Sequence, residues 1–317
     1  MKFGYMLIEG HDAIAAVAHD FPKVQFVRID DTPTLRANAH DLEGLIVFGF
    51  RYGDEVVSIL RNEAPSLKWI QWANAGIDTL LRHGYPRNVA ITYAPTVWGS
   101  TVAEHAVALL LGIARQFPRL ERDRVRSQWQ RHELSKTLAS IEGRIVILMG
   151  LGPIGRGIAQ RLRGFGTRVI AVASTSRDDP DVETVLSLDR LDEVLPSADA
   201  LVIAIPSSSA TRGIIDRRRL GTMKRSAILV NVARGDIVDE IAMAEALAEG
   251  SLAGAGLDAF SREPLPANHP FWGLSNVILS PHVAGNGGPA YERLAALLRD
   301  NLGRYLSGEQ LLYPAPL

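Results

Sequence analysis

The chain of 317 residues contains no cysteine, has almost no net charge and lacks a long apolar run. The absence of cysteine excludes disulfides, thiolate nucleophiles and cysteine-ligated metals, and we predict no metal site. A net charge of −1 gives no electrostatic reason to expect nucleic acid or a membrane surface as a partner. The longest apolar run, residues 106–114, is too short to span a bilayer. No secretory pattern follows Met1, so the sequence predicts a cytoplasmic protein.

The composition, 47% hydrophobic and 22% charged, is typical of a soluble globular protein, and the length suits two domains. In both halves, short apolar runs alternate with helical patterns, which predicts parallel α/β domains. In the first half we expect strands at 3–8, 24–29, 45–48, 69–72 and 90–93, with helices at 13–19 and 54–62. In the second half we expect strands from 145 and at 169–173, 201–205, 228–232, 253–257 and 277–279.

Two further helices are predicted outside this alternation. Thr101 and Glu104 have the spacing of a capping box at the start of a long helix. A last helix at 290–306 is expected to return to the first domain. Trp98 and Trp129 are expected to pack in the interior.

A glycine-rich turn directly follows the apolar run 145–148. Gly150, Gly152 and Gly155 form a G-x-G-x-x-G pattern that continues at helical spacing. The first glycine permits a tight turn, the second lets the backbone approach a pyrophosphate, and the third lets helix and strand pack closely. The helix N-terminus offers unpaired N–H groups to the phosphates. This strand, turn and helix predict a dinucleotide site, which also includes Pro153 and Ile154.

The next strand ends at Ser174 and favours NADP over NAD. NAD-binding folds usually place an acid at this position for the ribose hydroxyls, whereas NADP-binding folds omit it and supply an arginine. Ser174 and Thr175 offer hydroxyls, and Arg177 follows with a guanidinium, a set that suits a phosphate. Asp178 and Asp179 come directly afterwards and either would suit a ribose, so NAD stays the alternative.

Polar residues follow three later strands, at the edge where α/β sheets bind ligands. Arg234 follows one strand, Glu263 the next and His282 the last. Arginine can bind a carboxylate through two parallel hydrogen bonds. Histidine can give a proton to a carbonyl oxygen as hydride arrives, and a neighbouring glutamate stabilises the imidazolium. Together the three indicate a hydride-transfer site, although each alone is equally typical of an ordinary loop.

The order of these motifs resembles that of the D-isomer-specific 2-hydroxyacid dehydrogenases, and among them the glyoxylate and hydroxypyruvate reductases. The resemblance covers nearly the whole chain and rests on residues 67–71, 74–78, 102–105, 150–156, 231–239, 256–258, 263–266 and 281–282. It implies two Rossmann-like parallel-sheet domains. A dinucleotide-binding domain of residues 99–283 would be inserted into a flavodoxin-like substrate domain of residues 1–98 and 284–317. It also implies a homodimer.

The resemblance assigns roles to individual residues. It implies that Arg234 anchors the substrate carboxylate, that His282 is the acid/base with Glu263 beside it, and that Asp258 lies near the nicotinamide carboxamide. The backbone of Ala75 and Gly76 would complete the carboxylate site. Further cofactor contacts are expected at Pro206, Val232 and Ala233.

The sequence therefore predicts an NADPH-preferring reductase of a small 2-ketoacid, such as glyoxylate or hydroxypyruvate, with the D-2-hydroxyacid as product. Two alternatives stay open. One is a cofactor-sensing binding protein on the same scaffold, and the other is an NAD-dependent dehydrogenase that oxidises a D-hydroxy acid or phosphite. Arg51, Tyr52 and Trp72 suit the lining of a substrate pocket, but a surface loop and core aromatics explain them equally well.

Overall fold

The computed structural model describes residues 1–287 and 289–317. Gly288, which falls in the predicted segment 284–317, lies outside them. The chain forms two compact units, one of Met1–Trp98 with Gly287–Leu317 and one of Gly99–Asn286. The sequence-based division ends the dinucleotide-binding domain at residue 283, whereas the second compact unit ends at Asn286.

The first unit is built on a five-stranded parallel sheet. Its strands are β1 (Lys2–Met6), β2 (Gln25–Arg28), β3 (Gly44–Val47), β4 (Trp69–Trp72) and β5 (Ala90–Thr92). Its first helices are α1 (His11–Asp20), α2 (Thr32–Asn38), α3 (Asp54–Asn62) and α4 (Asp78–His83). The strand order β2-β1-β3-β4-β5 is flavodoxin-like, as predicted. Every residue of β3 and β4 is buried, as expected for central parallel strands covered on both faces.

The second unit begins with three helices and continues as a seven-stranded parallel sheet. Helices α5 (Gly99–Ala114), α6 (Phe117–Val125) and α7 (Arg131–Ser135) come first. The strands are β6 (Ile145–Met149), β7 (Arg168–Ala173), β8 (Thr184–Ser187), β9 (Ala200–Ile203), β10 (Ile228–Asn231), β11 (Gly254–Leu257) and β12 (Val277–Leu279). The helices between them are α8 (Pro153–Arg163), α9 (Leu191–Val194), α10 (Arg217–Thr222) and α11 (Glu240–Ala248).

The strand order of this sheet is β12-β11-β10-β9-β6-β7-β8. It reverses between β6 and β9, and in such sheets ligands bind outside the carboxyl ends of the strands at the reversal. The glycine turn follows β6, so it lies at that position. The expectation of two Rossmann-like parallel sheets is confirmed.

The last helix, α12 (Pro289–Ser307), belongs to the first unit. Asn301 on this helix is fully buried, and its amide donates to Gln71 Oε1 at 2.9 Å. Arg299 pairs with Asp20 of α1. No helix in the described part of the chain is long and apolar enough to cross a membrane.

Two local predictions of secondary structure were wrong. Strand β8 was missed because only Val185 and Leu186 of its four residues are buried, which leaves too short an apolar signal at the edge of the sheet. The capping box does not form, because α5 begins at Gly99. The Thr101 hydroxyl donates to Gly285 O at 3.1 Å, and Glu104 accepts from Arg161 at 2.9 Å, so both side chains are used within tertiary contacts instead.

Candidate active site

The carboxyl ends of three neighbouring strands carry the predicted catalytic residues. β10, β11 and β12 are adjacent in the second sheet, and the loops after them hold Arg234, Glu263 and His282. Since parallel strands all end at the same edge, the sheet brings these loops together although they are distant in sequence.

His282 and Glu263 form a close pair. His282 Nδ1 lies 2.8 and 3.0 Å from the two carboxylate oxygens, and the side chains are 29% and 28% exposed. Burial alone would raise the pKa of the Glu263 carboxyl. The hydrogen bond and charge of His282, the Phe260 N–H at 2.9 Å and the charge of Arg234 outweigh burial, so this pKa lies below its usual range. Glu263 is therefore an anion that engages one nitrogen of the imidazole.

The backbone at His282 is held in an uncommon conformation. Its φ is +55°, in the left-handed region that residues other than glycine rarely adopt. Asp258 secures the residues that follow, because its Oδ1 accepts from Val283 N and its Oδ2 from Ala284 N, both at 3.0 Å. The Asp258 side chain is only 2% exposed. A buried carboxylate thus holds the loop that carries the imidazole.

Two residues that sequence reasoning missed complete this arrangement. The Ser280 hydroxyl donates to Asp258 Oδ1 and lies 2.9 Å from His105 Nε2 of α5. Because the hydroxyl proton goes to the carboxylate, Ser280 accepts from the imidazole N–H. His105 Nε2 also lies 3.6 Å from Asp258 Oδ1. The available signal was a histidine within a helix whose neighbouring positions are almost all apolar.

The Arg234 loop is shaped by its own backbone and by the loop after β11. The Asn231 amide donates to Arg234 O at 2.9 Å and accepts from Ala233 N at 3.0 Å. Arg234 Nη1 donates to Ala233 O at 2.7 Å. A Cβ at Gly235 would overlap the backbone of residues 260 and 261, so only glycine permits the two loops to lie this close. The charge of Arg234 contributes to lowering the pKa of the Glu263 carboxyl, so residues on these two loops interact electrostatically.

The glycine turn has the geometry of a dinucleotide site. Gly150 has φ +97°, and a Cβ there would lie 2.5 Å from Ala204 O. A Cβ on Gly155 would overlap Gly150 O, whereas nothing lies within 4 Å of one on Gly152. Helix α8 begins at Pro153 with no side-chain cap, so the first-turn N–H groups of Ile154 and Gly155 are directed outwards. These residues fit a pyrophosphate.

The charged residues after β7 differ in their contacts. Asp179 pairs with Arg156 at 2.7 Å, and its side chain is 3% exposed. Ser174, Thr175 and Arg177 are exposed, and Arg177 Nη2 donates to Leu151 O in the glycine turn at 3.4 Å. Asp179 is thus occupied by an arginine, whereas the hydroxyls and Arg177 lie beside the turn.

Comparison with known proteins agrees with this geometry. The model of the NAD-binding domain of the D-isomer specific 2-hydroxyacid dehydrogenases matches residues 107–284. The chain belongs to this family. It is therefore an NAD(P)-dependent oxidoreductase of 2-hydroxy acids.

Three relatives illustrate the range of similarity. The glyoxylate reductase of Thermofilum pendens is 33% identical over 310 residues, 96% of this chain and 88% of that protein. The TT0316 protein of Thermus thermophilus is 30% identical, with a TM-score of 0.85 over 99% of this chain and all of that one. A D-isomer specific 2-hydroxyacid dehydrogenase of Xanthobacter autotrophicus Py2, in complex with NADPH and MES, is 26% identical, with a TM-score of 0.80 over 99% and 98%.

The remaining residues that the dehydrogenase resemblance assigned fall in two places. Pro206, Val232 and Ala233 follow β9 and β10 in the second unit, so they lie at the same sheet edge as the glycine turn. Ala75 and Gly76 lie in the first unit, in the loop between β4 and α4.

The aromatic residues suggested for the pocket are core residues of the first unit. Tyr52 is 4% exposed, donates its hydroxyl to Gly84 O at 3.0 Å and packs edge-on against Trp72 at 5.1 Å. Trp72 is fully buried. Arg51 is exposed and donates to Asp30 O at 3.3 Å.

Trp98 is buried as expected, whereas Trp129 is 92% exposed and does not pack in the interior.

Proposed function

We propose that this dehydrogenase reduces a small 2-ketoacid to the D-2-hydroxyacid, with NADPH as the preferred cofactor. The observation that carries the proposal is the His282–Glu263 pair, which lies on the same sheet edge as Arg234. An acid/base group beside a carboxylate anchor is what reduction of a 2-ketoacid needs from the protein.

The proposed roles follow from the contacts. Glu263 is ionised and engages Nδ1, which orients the ring so that Nε2 is the nitrogen that gives a proton to the ketone oxygen. Arg234 binds the substrate carboxylate through charge-assisted hydrogen bonds from its guanidinium. When bound, the nicotinamide supplies the hydride. Asp258 keeps the His282 loop in place, and this occupies its oxygens in a different task from the carboxamide contact that the resemblance implies.

The preference for NADPH rests on the end of β7. Arg156 occupies Asp179, so this acid is not presented to a ribose. Ser174, Thr175 and Arg177 remain as the groups suited to a 2′-phosphate, as phosphate is best bound by hydroxyls and a guanidinium. The Xanthobacter relative was crystallised with NADPH.

Substrate and assembly are proposed more broadly. Glyoxylate is the first choice of substrate because the Thermofilum relative is a glyoxylate reductase. Hydroxypyruvate is the second choice. A cytoplasmic homodimer is proposed as well. Large apolar side chains are exposed on and after α6, with Phe117 at 56%, Val125 at 69% and Trp129 at 92%, and we propose that they contribute to the contact between copies of the chain.

The decisive experiment follows absorbance at 340 nm with a panel of 2-ketoacids and either NADPH or NADH. Turnover of glyoxylate or hydroxypyruvate with a higher kcat/KM for NADPH supports the proposal. Cofactor binding without turnover across the panel favours the sensing protein. A clear preference for NADH would mean that Asp178 or Asp179 contacts the ribose, and would favour the NAD-dependent alternative.

A further inference from the structure

The loop after β4 in the first unit is held through its carbonyl groups. Trp98 Nε1 donates to Ala73 O at 2.8 Å, and Ala94 N donates to Asn74 O at 3.1 Å. Trp72 Nε1 donates to Gly76 O at 2.8 Å. Three of four successive carbonyls are thereby bonded into the unit.

Peptide planarity converts these contacts into a direction for the N–H groups. In a trans peptide the C=O of one residue and the N–H of the next point in opposite directions. Fixing the carbonyls of residues 73, 74 and 76 therefore directs the N–H groups of Asn74, Ala75 and Ile77 away from those bonds. Residues 74–77 lie in the loop between β4 and α4. Within the described ranges, no N–H group of these four residues donates to a protein acceptor.

A side chain adds a fourth restraint. Asn74 Oδ1 accepts from Gly49 N at 2.6 Å, which ties this loop to the one after β3. Trp72 is fully buried and Trp98 is 7% exposed, so neither indole can relax into solvent. N–H groups held in this way on a rigid loop can form a concavity that favours an anion.

We propose that Trp72, Trp98 and Asn74 are positioning residues that hold this row of N–H groups for the substrate carboxylate. The proposal rests on the function proposed above, because it specifies how the N–H groups of Asn74, Ala75 and Ile77, around the predicted Ala75–Gly76 site, are presented. None of the three side chains needs to contact the substrate. Their effect is to fix the peptide planes before the carboxylate arrives, which limits the ordering cost of binding.

The chain offers a matched control for the indole. Trp69 is also in β4, is 1% exposed and donates its Nε1 to Thr92 Oγ1 at 2.9 Å. Trp69→Phe and Trp72→Phe therefore remove the same atoms and one indole hydrogen bond each from the same strand. Only Trp72→Phe releases the loop.

The expected result is a selective loss of carboxylate binding. Trp72→Phe should raise the KM for glyoxylate about tenfold with little change in kcat, as expected when ground-state binding is lost. Trp69→Phe should leave that KM within about twofold while lowering Tm to a similar extent. Equal KM values in the two variants would overturn the proposal.

A binding measurement separates this proposal from the proposed reaction. Calorimetry with oxamate, a carboxylate that is not reduced, is performed on the NADPH-loaded protein and its variants. Weaker oxamate binding in Trp72→Phe and Asn74→Ala than in Trp69→Phe supports the positioning role, even if the wild type reduces no 2-ketoacid. No oxamate binding by the wild type, or equal binding in all variants, overturns it. Asn74→Ala provides the test should Trp72→Phe fail to fold, since Asn74 is only partly buried.

Discussion

The two units of this dehydrogenase hold the loops that we propose to bind ligands by different means. In the second unit, the loops after β10, β11 and β12 carry ionisable side chains, and carboxylates and backbone contacts hold those side chains in place. In the first unit, the loop after β4 presents backbone N–H groups, and two indoles and an amide hold the backbone.

The difference shows that chemistry and recognition need different supports. A group that moves a proton must be an ionisable side chain with a controlled environment, whereas an anion can be held by any fixed row of N–H groups. Substitutions in the second unit should therefore change kcat most, and substitutions in the first should change KM or stability.

The largest effect is expected from His282→Ala. Loss of the acid/base group should lower kcat about 10²–10⁴-fold, the scale of general acid–base catalysis, with the Kd for NADPH unchanged. His269→Ala is the control, because His269 is in the same unit and its imidazole packs against Phe271 and is not paired with Glu263. Steady-state kinetics and fluorescence titration measure both quantities. An unchanged kcat would remove His282 from the mechanism.

A smaller kinetic effect is expected from Asp258→Asn. The amide keeps one acceptor, so at least one of the Ser280, Val283 and Ala284 donors would face an NH₂ group. Stability should fall by about 1–3 kcal/mol, since a buried donor loses its partner. kcat should fall about 10- to 100-fold, because the imidazole is misplaced.

The control for this prediction is Asp239→Ala, which removes the side-chain oxygen that caps α11 by accepting from Ala242 N. It should cost stability without a comparable loss of kcat. If Asp258→Asn instead weakened only the binding of the nicotinamide cofactor, the carboxamide role implied by the family resemblance would be the better account of this residue.

The candidate site residues of the second unit were easier to find in the sequence than the supports of the first unit, for a physical reason. Glycine turns and charged residues after strands are rare in apolar folds, so Gly150, Arg234, Glu263 and His282 were visible as candidates. The alternating apolar runs indicated the parallel sheets, and the family resemblance indicated the flavodoxin-like first domain. The catalytic roles stay predictions, which the kinetics of the His282 and Asp258 variants test.

What the sequence could not show were the supports. Trp72 and Trp98 have the sequence pattern of ordinary core aromatics. Only the folded structure shows that each indole N–H donates a hydrogen bond to a carbonyl of the loop after β4. The His105–Ser280–Asp258 contacts join residues from three elements, which no local pattern records. The capping box failed for the same reason, because Arg161 lies against Glu104 only in the folded unit.

Arg177→Gln tests the cofactor preference of the second unit. Removal of the guanidinium should raise the KM for NADPH about tenfold, the loss of one charge-assisted hydrogen bond, and leave the KM for NADH nearly unchanged. Arg163→Gln on the exposed end of α8 is the control for general loss of charge. An equal rise for both cofactors would indicate that Arg177 supports the fold and does not contact a 2′-phosphate.

Glu263→Gln tests the charge of the acid/base pair through stability. The pKa of Glu263 is lowered in the folded protein, chiefly by His282 against the opposing effect of burial. Its ionised form should therefore stabilise the protein above the unfolded pKa of about 4.3, and this contribution should disappear as the pH falls through the folded value. The Tm difference between wild type and variant should be present at pH 6 and vanish at low pH. A difference independent of pH would mean that packing, not charge, distinguishes them.

The smallest effect is expected from Tyr52→Phe in the first unit. Burial raises the pKa of the Tyr52 hydroxyl, so it stays protonated and donates to Gly84 O at any working pH. The variant should lose about 1 kcal/mol of stability, the value of one hydrogen bond, because the ring still packs against Trp72. kcat and the KM for the 2-ketoacid should be unchanged, as measured beside Tm. A raised KM would mean that Tyr52 helps to position Trp72 and its loop, and the supports of the first unit would then extend one layer further into the core.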